Sequence, residues 1–260
     1  MIRLKSEKEI EILRNGGVIL ARILDELSAL ALPGVSTEEL NDEALEKIEC
    51  AGATPVLLGY HPEFAPRPFP AAICTSINDI VVHGIPNEHP YELKEGDVIG
   101  IDLSIGYEGM IVDSARTVPV GLVNPEVQKL INVTREALAV GIKAAKAGGH
   151  VGDIGYAIEM FVRPHKYGIV EALCGHGVGY AVHEEPMVQN VGTPGTGPLL
   201  SPGLVLAIEP MLTLGSYEVT FDTKDGYTVR TADGSVSAHF EHTIVITKGG
   251  HEILTRSRYP

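Results

Sequence analysis

Residues 98–118 read VIGIDLSIGYEGMIVDSARTV, two apolar runs joined through Gly106-Tyr107-Glu108-Gly109. Runs rich in Val and Ile about a glycine-containing turn spell an antiparallel hairpin. Folding back about that turn sets Asp102 opposite Asp113, two carboxylates on one face of an otherwise apolar ribbon. Like charges directly opposite destabilise a sheet. At about 5 Å and an effective dielectric of about 20 the repulsion is on the order of 3 kcal/mol, and taking both groups out of water adds to it. The pair calls for a cation between its members, and a divalent metal accepts oxygen ligands from both at once.

Composition narrows the class. At 260 residues and 44% hydrophobic content the chain can bury one large core or two fused halves. A net charge of -14 speaks against a nucleic-acid footprint, which needs a basic patch. Cys50, Cys74 and Cys174 are odd in number and form no CxxC pair, so free thiols in a reducing compartment are expected. The N-terminal residues MIRLKSEKEIEIL alternate charge with apolar side chains, and no run approaches 18 apolar residues. A cytoplasmic protein without membrane partners is the expectation.

Outward from the hairpin, LKEGDVIGID at 93–102 lines up with LSPGLVLAIE at 200–209. Two helices are predicted ahead of each copy. Ser6 with Glu9, and Ser36 with Glu39, are capping boxes, Asn124-Pro125 gives an N-cap and an N1 proline, and a fourth helix covers Asp153 to Val162. Strands are expected over Val98 to Ser104, Met110 to Val118, Leu204 to Glu209, Tyr227 to Arg230 and Ser237 to Thr247, with Ala232-Asp233-Gly234 as the last hairpin turn. Each half thus reads as helix, helix, antiparallel strands: an α+β chain, one catalytic domain over 1–260 with an internal repeat of about 1–123 and 124–260. The alternative is chance likeness between two turn-then-strand segments.

Further acids and a histidine stand where charge is out of place. Glu209 ends an apolar strand in LAIEPML, Glu241 opens one in HFEHTIVI, and His176 lies in CGHGVG, where glycines let backbone approach a ligand. Alternation sets His239, Glu241 and Thr243 on one face. Singly, such residues are strand-end acids reaching solvent or turn histidines. Together, two Asp, two Glu and one His make a ligand set whose charge two divalent ions would balance. The glycines of CGHGVG do not spell GxGxxG or GxxxxGK[ST], and HEEPM at His183 is not HExxH.

IDLSIGYEGMIVDSARTV, CGHGVGYAVHEEP, AIEPML and FEHTIVI occur in the order found in methionine aminopeptidases, and SINDIVVHGIP resembles that family's stretch carrying a substrate-side histidine. The resemblance runs from the first helix to about Thr255. Only 31 residues separate Glu209 from Glu241, too few for the type II helical insertion, so the likeness is to the minimal type I form. It implies a pita-bread (creatinase/aminopeptidase-like) fold, two pseudo-symmetric halves around a curved antiparallel sheet. It implies metal ligands Asp102, Asp113, His176, Glu209 and Glu241 for two divalent ions, with Mn, Fe, Co and Zn all compatible. A hydroxide held by both ions would attack the first peptide bond, with Glu209 as proton shuttle, His183 at the oxyanion and His83 on the next peptide group. Tyr60, Phe64, Cys74 and Tyr227 fall where the family lines its methionine slot.

The resemblance further implies N-terminal Met peptides and nascent chains with a small second residue as substrates, transient ribosome contact and a monomer. Three departures bear on pocket shape and pH profile. HPEFAPRPFPAA at 61–72 is longer than usual and carries four prolines, Tyr227 stands where tryptophan is frequent, and His239 where glutamine is. Proline-specific peptidases and non-catalytic binding relatives are the alternatives.

Overall fold

The computed structural model describes residues 1–63 and 65–256. Ser6 accepts from the Glu9 N–H while the Glu9 carboxylate takes the Ser6 N–H, and this capping box starts α1 (Glu7–Leu30). Ser36 and Glu39 start α2 (Thr37–Cys50) in the same way. Strands β1 (Thr54–Pro55), β2 (Cys74–Ile77), β3 (Ile80–Val82), β4 (Val98–Tyr107) and β5 (Met110–Pro119) follow. Asn124 caps α3 (Pro125–Ala144), and α4 (Val151–Val162) comes next. The remaining strands are β6 (Gly168–Ile169), β7 (Gly175–Gly177), β8 (Glu184–Val188), β9 (Val205–Ile208), β10 (Met211–Thr213), β11 (Val219–Phe221), β12 (Val229–Thr231), β13 (Ser237–His239), β14 (His242–Thr247) and β15 (Gly250–Ile253).

Two cores match the predicted helix pairs. Leu13, Leu20 and Leu24 of α1 and Leu40 of α2 pack on Ile99, Ile101 and Leu103 of β4. Leu138 and Ile142 of α3 and Ile154 and Ile158 of α4 pack on Leu206 of β9 and Ile244 of β14. Each such side chain contributes roughly 1.5–3 kcal/mol by leaving water. All paired strands run antiparallel, in sheets that include β1 and β2 on β4 on β5, and β15-β14-β9-β7-β8. Among the described residues no helix is long and apolar enough to cross a membrane, and the three cysteines form no disulfide.

The central hairpin corrects the expected register. Its strands run on to Tyr107 and resume at Met110, so the loop is only Glu108-Gly109, both left-handed at φ 47° and 82°. A two-residue loop of this hand matches strand twist. Asp102 therefore pairs with Ala115, and Asp113 with Ser104, instead of Asp102 with Asp113. The slip is two residues, which preserves the face each side chain occupies, and both aspartates still reach one cavity.

Three other expectations shift. The strand predicted from Tyr227 starts at Val229, because the Asp225 carboxylate takes the N–H groups of Tyr227 (2.7 Å) and Thr228 (2.9 Å). Ala232-Asp233-Gly234 is a turn but closes no hairpin: β12 pairs with β11 and β3, whereas β13 pairs with β10. The strand predicted over Ser237 to Thr247 breaks at Phe240-Glu241, where the chain passes from one sheet to another. The neighbouring strand breaks at Glu209-Pro210. Ile208 with His242 and Met211 with His239 keep one register across both breaks, which sets Glu209 opposite Glu241.

Hydroxyls join the two halves along β5. Thr117 Oγ1 donates to the His239 carbonyl and accepts the His239 N–H, both at 2.8 Å. Thr243 Oγ1 does the same for Asp113, at 2.7 and 3.0 Å. Between them Ser114 Oγ donates to the Glu241 carbonyl, and the Glu241 N–H reaches the Ala115 carbonyl. The hydroxyls stand in for sheet ladder bonds exactly where no ladder forms, and they bring Asp113 and Glu241 to one place.

Candidate metal centre and substrate pocket

A cavity of about 410 Å³ opens between the halves, with all five expected ligands on its wall. Asp102 and Asp113 come from adjacent strands of the hairpin, His176 from β7, and Glu209 and Glu241 from the paired breaks. The glycines about His176 serve strand packing, which corrects the expectation that they admit a ligand. A Cβ on Gly175 would lie 2.3 Å from the Ala207 carbonyl oxygen, and one on Gly177 2.3 Å from that of Glu185. His176 is thereby wedged between neighbouring strands.

Its tautomer is fixed. His176 Nδ1 lies 2.9 Å from the Gly177 carbonyl, which can only accept, so the proton is on Nδ1 and Nε2 presents a lone pair. That Nε2 sits 3.3 Å from Glu209 Oε1 and 4.0 Å from Asp113 Oδ2. Donor atoms of Asp113, His176 and Glu241 all fall within 4.8 Å of one another, and all three residues are buried. Asp113 Oδ1 and Glu241 Oε1 are buried without a hydrogen-bond partner. Buried polar atoms are normally paired, so oxygens converging on an imidazole lone pair fit a divalent cation of the first transition row.

The electrostatics of the unliganded cluster agree. Burial raises the pKa of Asp102 and Glu241 well above the carboxylate range, and neighbouring carboxylates raise them further. Burial likewise carries Glu209 up to about 8 and lifts Asp113, against which the imidazole of His176 acts. A cation among these groups would restore their ionised forms.

Two further histidines face the cavity. His183 holds Tyr60 through Nδ1 to the phenol oxygen at 2.9 Å, and its ring meets that of His176 edge-on at 4.4 Å. His83 is a left-handed residue at φ 61°, followed by Gly84, where a Cβ would lie 2.1 Å from the Thr75 carbonyl oxygen. Burial pushes His83 to about 4 and His183 to about 3, so both are neutral at pH 7. Gly84→Ala is expected to destabilise the protein by about 2–3 kcal/mol, because backbone must move. Urea unfolding measures this, and an unchanged midpoint contradicts it.

Beyond the acidic cluster and these histidines the cavity wall is largely apolar. Cys74, Tyr227, Leu57 and Val182 belong to one buried cluster with Tyr60 packed against it. Phe64 lies outside the described residues. Phe69 also lines the slot, 3% exposed, edge-on to Tyr227 with ring centroids 5.0 Å apart. Sequence reasoning missed it, although its position between two prolines, just ahead of Cys74, was a usable signal. The proline-rich segment is tied down, with the Arg67 guanidinium on the Glu88 carboxylate and the Tyr227 hydroxyl on the Arg67 carbonyl.

Residues 11–248 match the model of metallopeptidase family M24. The chain is 46% identical over 258 residues to the methionine aminopeptidase of Aquifex aeolicus, covering 98% of each. It is 44% identical over 256 residues to that of Clostridium perfringens, covering 98% of this chain and 99% of the relative. The crystal structure of methionine aminopeptidase from Rickettsia prowazekii superposes with a TM-score of 0.93 at 40% identity, over 98% of this chain and all of that one. The chain belongs to the methionine aminopeptidases of family M24. It is a hydrolase of the pita-bread fold that removes N-terminal methionine. For a methionine aminopeptidase an apolar slot of this kind suits a flexible thioether. His239 stands beside the cluster: its Nε2 lies 3.6 Å from Glu209 Oε2, buried and without a hydrogen-bond partner.

Proposed function

We propose that Asp102, Asp113, His176, Glu209 and Glu241 hold two divalent ions, and that the chain uses them to release methionine ahead of a small second residue. The observation carrying this is the convergence of unpartnered, buried Asp113 and Glu241 oxygens on the His176 lone pair. When bound, the ions supply Lewis acidity and lower the pKa of water, so that a nucleophile exists at neutral pH.

The chain's own groups do the rest. The slot formed by Tyr60, Cys74, Phe69 and Tyr227 takes the methionine side chain and so sets which peptide bond lies at the cluster. His183, neutral and held by Tyr60, is placed to donate Nε2–H to the oxygen that gains charge. Glu209, ionised once a cation is bound, would accept a proton from water and deliver it to the leaving amine. His83 holds the next peptide group, its position set by the left-handed backbone. The whole of 1–260 acts as one catalytic domain built from two repeated halves, working in the cytoplasm as a monomer on nascent chains.

A tripeptide panel tests the substrate, with metal analysis alongside. Met-Ala-Ser is expected to be cleaved at least about tenfold better than Met-Leu-Ser, in kcat/KM, and Xaa-Pro peptides not at all. Saturation at two ions per chain supports the dinuclear centre. Full activity at one ion, or cleavage confined to Xaa-Pro, overturns it.

A further inference from the structure

The N-terminal arm ahead of α1 ends beneath the loop that carries His183. Lys5 is held there as a buried cation: its side chain is 1% exposed, Nζ lies 2.7 Å from Glu184 Oε2, and its backbone N–H donates to the Gly203 carbonyl at 2.7 Å. The other oxygen of Glu184 accepts the N–H groups of Tyr180 and Ala181, the latter at 3.0 Å. One carboxylate thus closes the turn from Tyr180 to Glu184 while the arm anchors it. Gly179 is shaped to this contact, since at φ 136° a Cβ there would lie 2.5 Å from Lys5 Cε. The outer face is also covered by the arm, with the Arg3 guanidinium 3.6 Å from the Tyr180 ring centroid and the Tyr180 hydroxyl donating to Glu9. On the inner side the Gly179 carbonyl accepts the Ile111 N–H at 2.7 Å, two residues ahead of Asp113.

We propose that Lys5 and Glu184 are a positioning pair for His183, making the N-terminal arm a working part of the catalytic site. His183 is the residue immediately before Glu184, so whatever fixes the Glu184 carboxylate fixes the backbone from which the imidazole projects. A buried ion pair is weak evidence for stability, because desolvation offsets most of the attraction. What it does supply is a single geometry, and catalytic groups lose rate steeply when displaced by an ångström. Neither Lys5 nor Glu184 lines the cavity, so the pair acts only through its neighbour. The inference rests on the reading of His183 as the residue beside the reacting carbonyl.

Lys5→Met, Glu184→Gln and the double variant test it, with the metal-loaded protein for kinetics and the metal-free protein for imidazole ¹⁵N spectra. Each single variant is expected to lose roughly 10- to 100-fold in kcat on Met-Ala-Ser with KM within about twofold, the pattern of a misplaced transition-state donor. The double variant should be no worse than the poorer single one, since both remove one contact. His183 signals should move in the metal-free variants while those of His242, whose Nδ1 bonds Thr255 Oγ1, stay. Kinetics within twofold of the unmodified protein, or a lower melting temperature with unmoved His183 signals, overturns the proposal. Glu184→Gln keeps the carboxylate's shape, so it reports even if Lys5→Met fails to fold. If His183→Ala itself left kcat intact, the role of His183 would fall, whereas the spectra would still judge the clamp.

Discussion

Replacing Glu241 by Gln is expected to abolish activity while making the metal-free protein harder to unfold. Glu241 is 2% exposed, stands across from Glu209, and has an oxygen with no hydrogen-bond partner. Burial first, and then Asp113, Glu209 and Asp102, oppose its ionisation. The amide keeps the volume, so no cavity opens, and it is neutral without having to take up a proton. Methionine release should fall on the order of 10³-fold, the scale of losing a group that organises transition-state charge. In chelated protein at pH 7.5 the urea midpoint should rise, because the buried carboxyl must take up a proton on folding and the amide need not. A variant that keeps its activity, or a midpoint that drops, would contradict a centre made of mutually repelling acids.

Chelation itself should make stability fall with rising pH over a defined window. Glu209 ordinarily ionises near 4.5, but in the folded metal-free protein it holds its proton to about 8. Between these values the folded state binds more protons than the unfolded one, so the free energy of unfolding decreases as pH rises. His83, His183 and His239 act oppositely below their ordinary 6.5, since burial holds them at about 4, 3 and 4. Above pH 6.5 those imidazoles are neutral in both states and the carboxylates act alone. From pH 6.5 to 8 Glu209 by itself should remove about 2 kcal/mol, with Asp102 and Glu241 adding to the loss in the same direction. Saturating Mn should remove this slope, as an ion that binds only the folded state restores the charged form. Melting curves of chelated and Mn-loaded protein at three pH values decide it: equal slopes would mean that no cation serves these acids.

What could be read in advance follows the range of the interaction. Ser6 with Glu9, Ser36 with Glu39 and Asn124-Pro125 act within one helical turn, and each helix began where they indicated. The candidate ligands stood out in the sequence because acids in apolar strands need a reason. Their pairing was not. The hairpin register turned on whether Gly106 and Tyr107 stay in the strand, and only the hand of Glu108 and Gly109 decides that. The argument from facing charges applies to Glu209 and Glu241, whose opposition arises from two strands changing sheets at one level, a tertiary event with no local mark. Phe69 was hidden for a similar reason: its inward turn depends on Tyr227, far along the chain.

The hydroxyl seam along β5 has a mechanical consequence. Thr117 and Thr243 each donate one hydrogen bond to a main-chain residue across the border and accept one from it, so both pairs must break before the halves can shift. A shift along this seam would part Asp113 from Glu241. The proposed ion site is thereby held in register by short side chains that do not line the cavity.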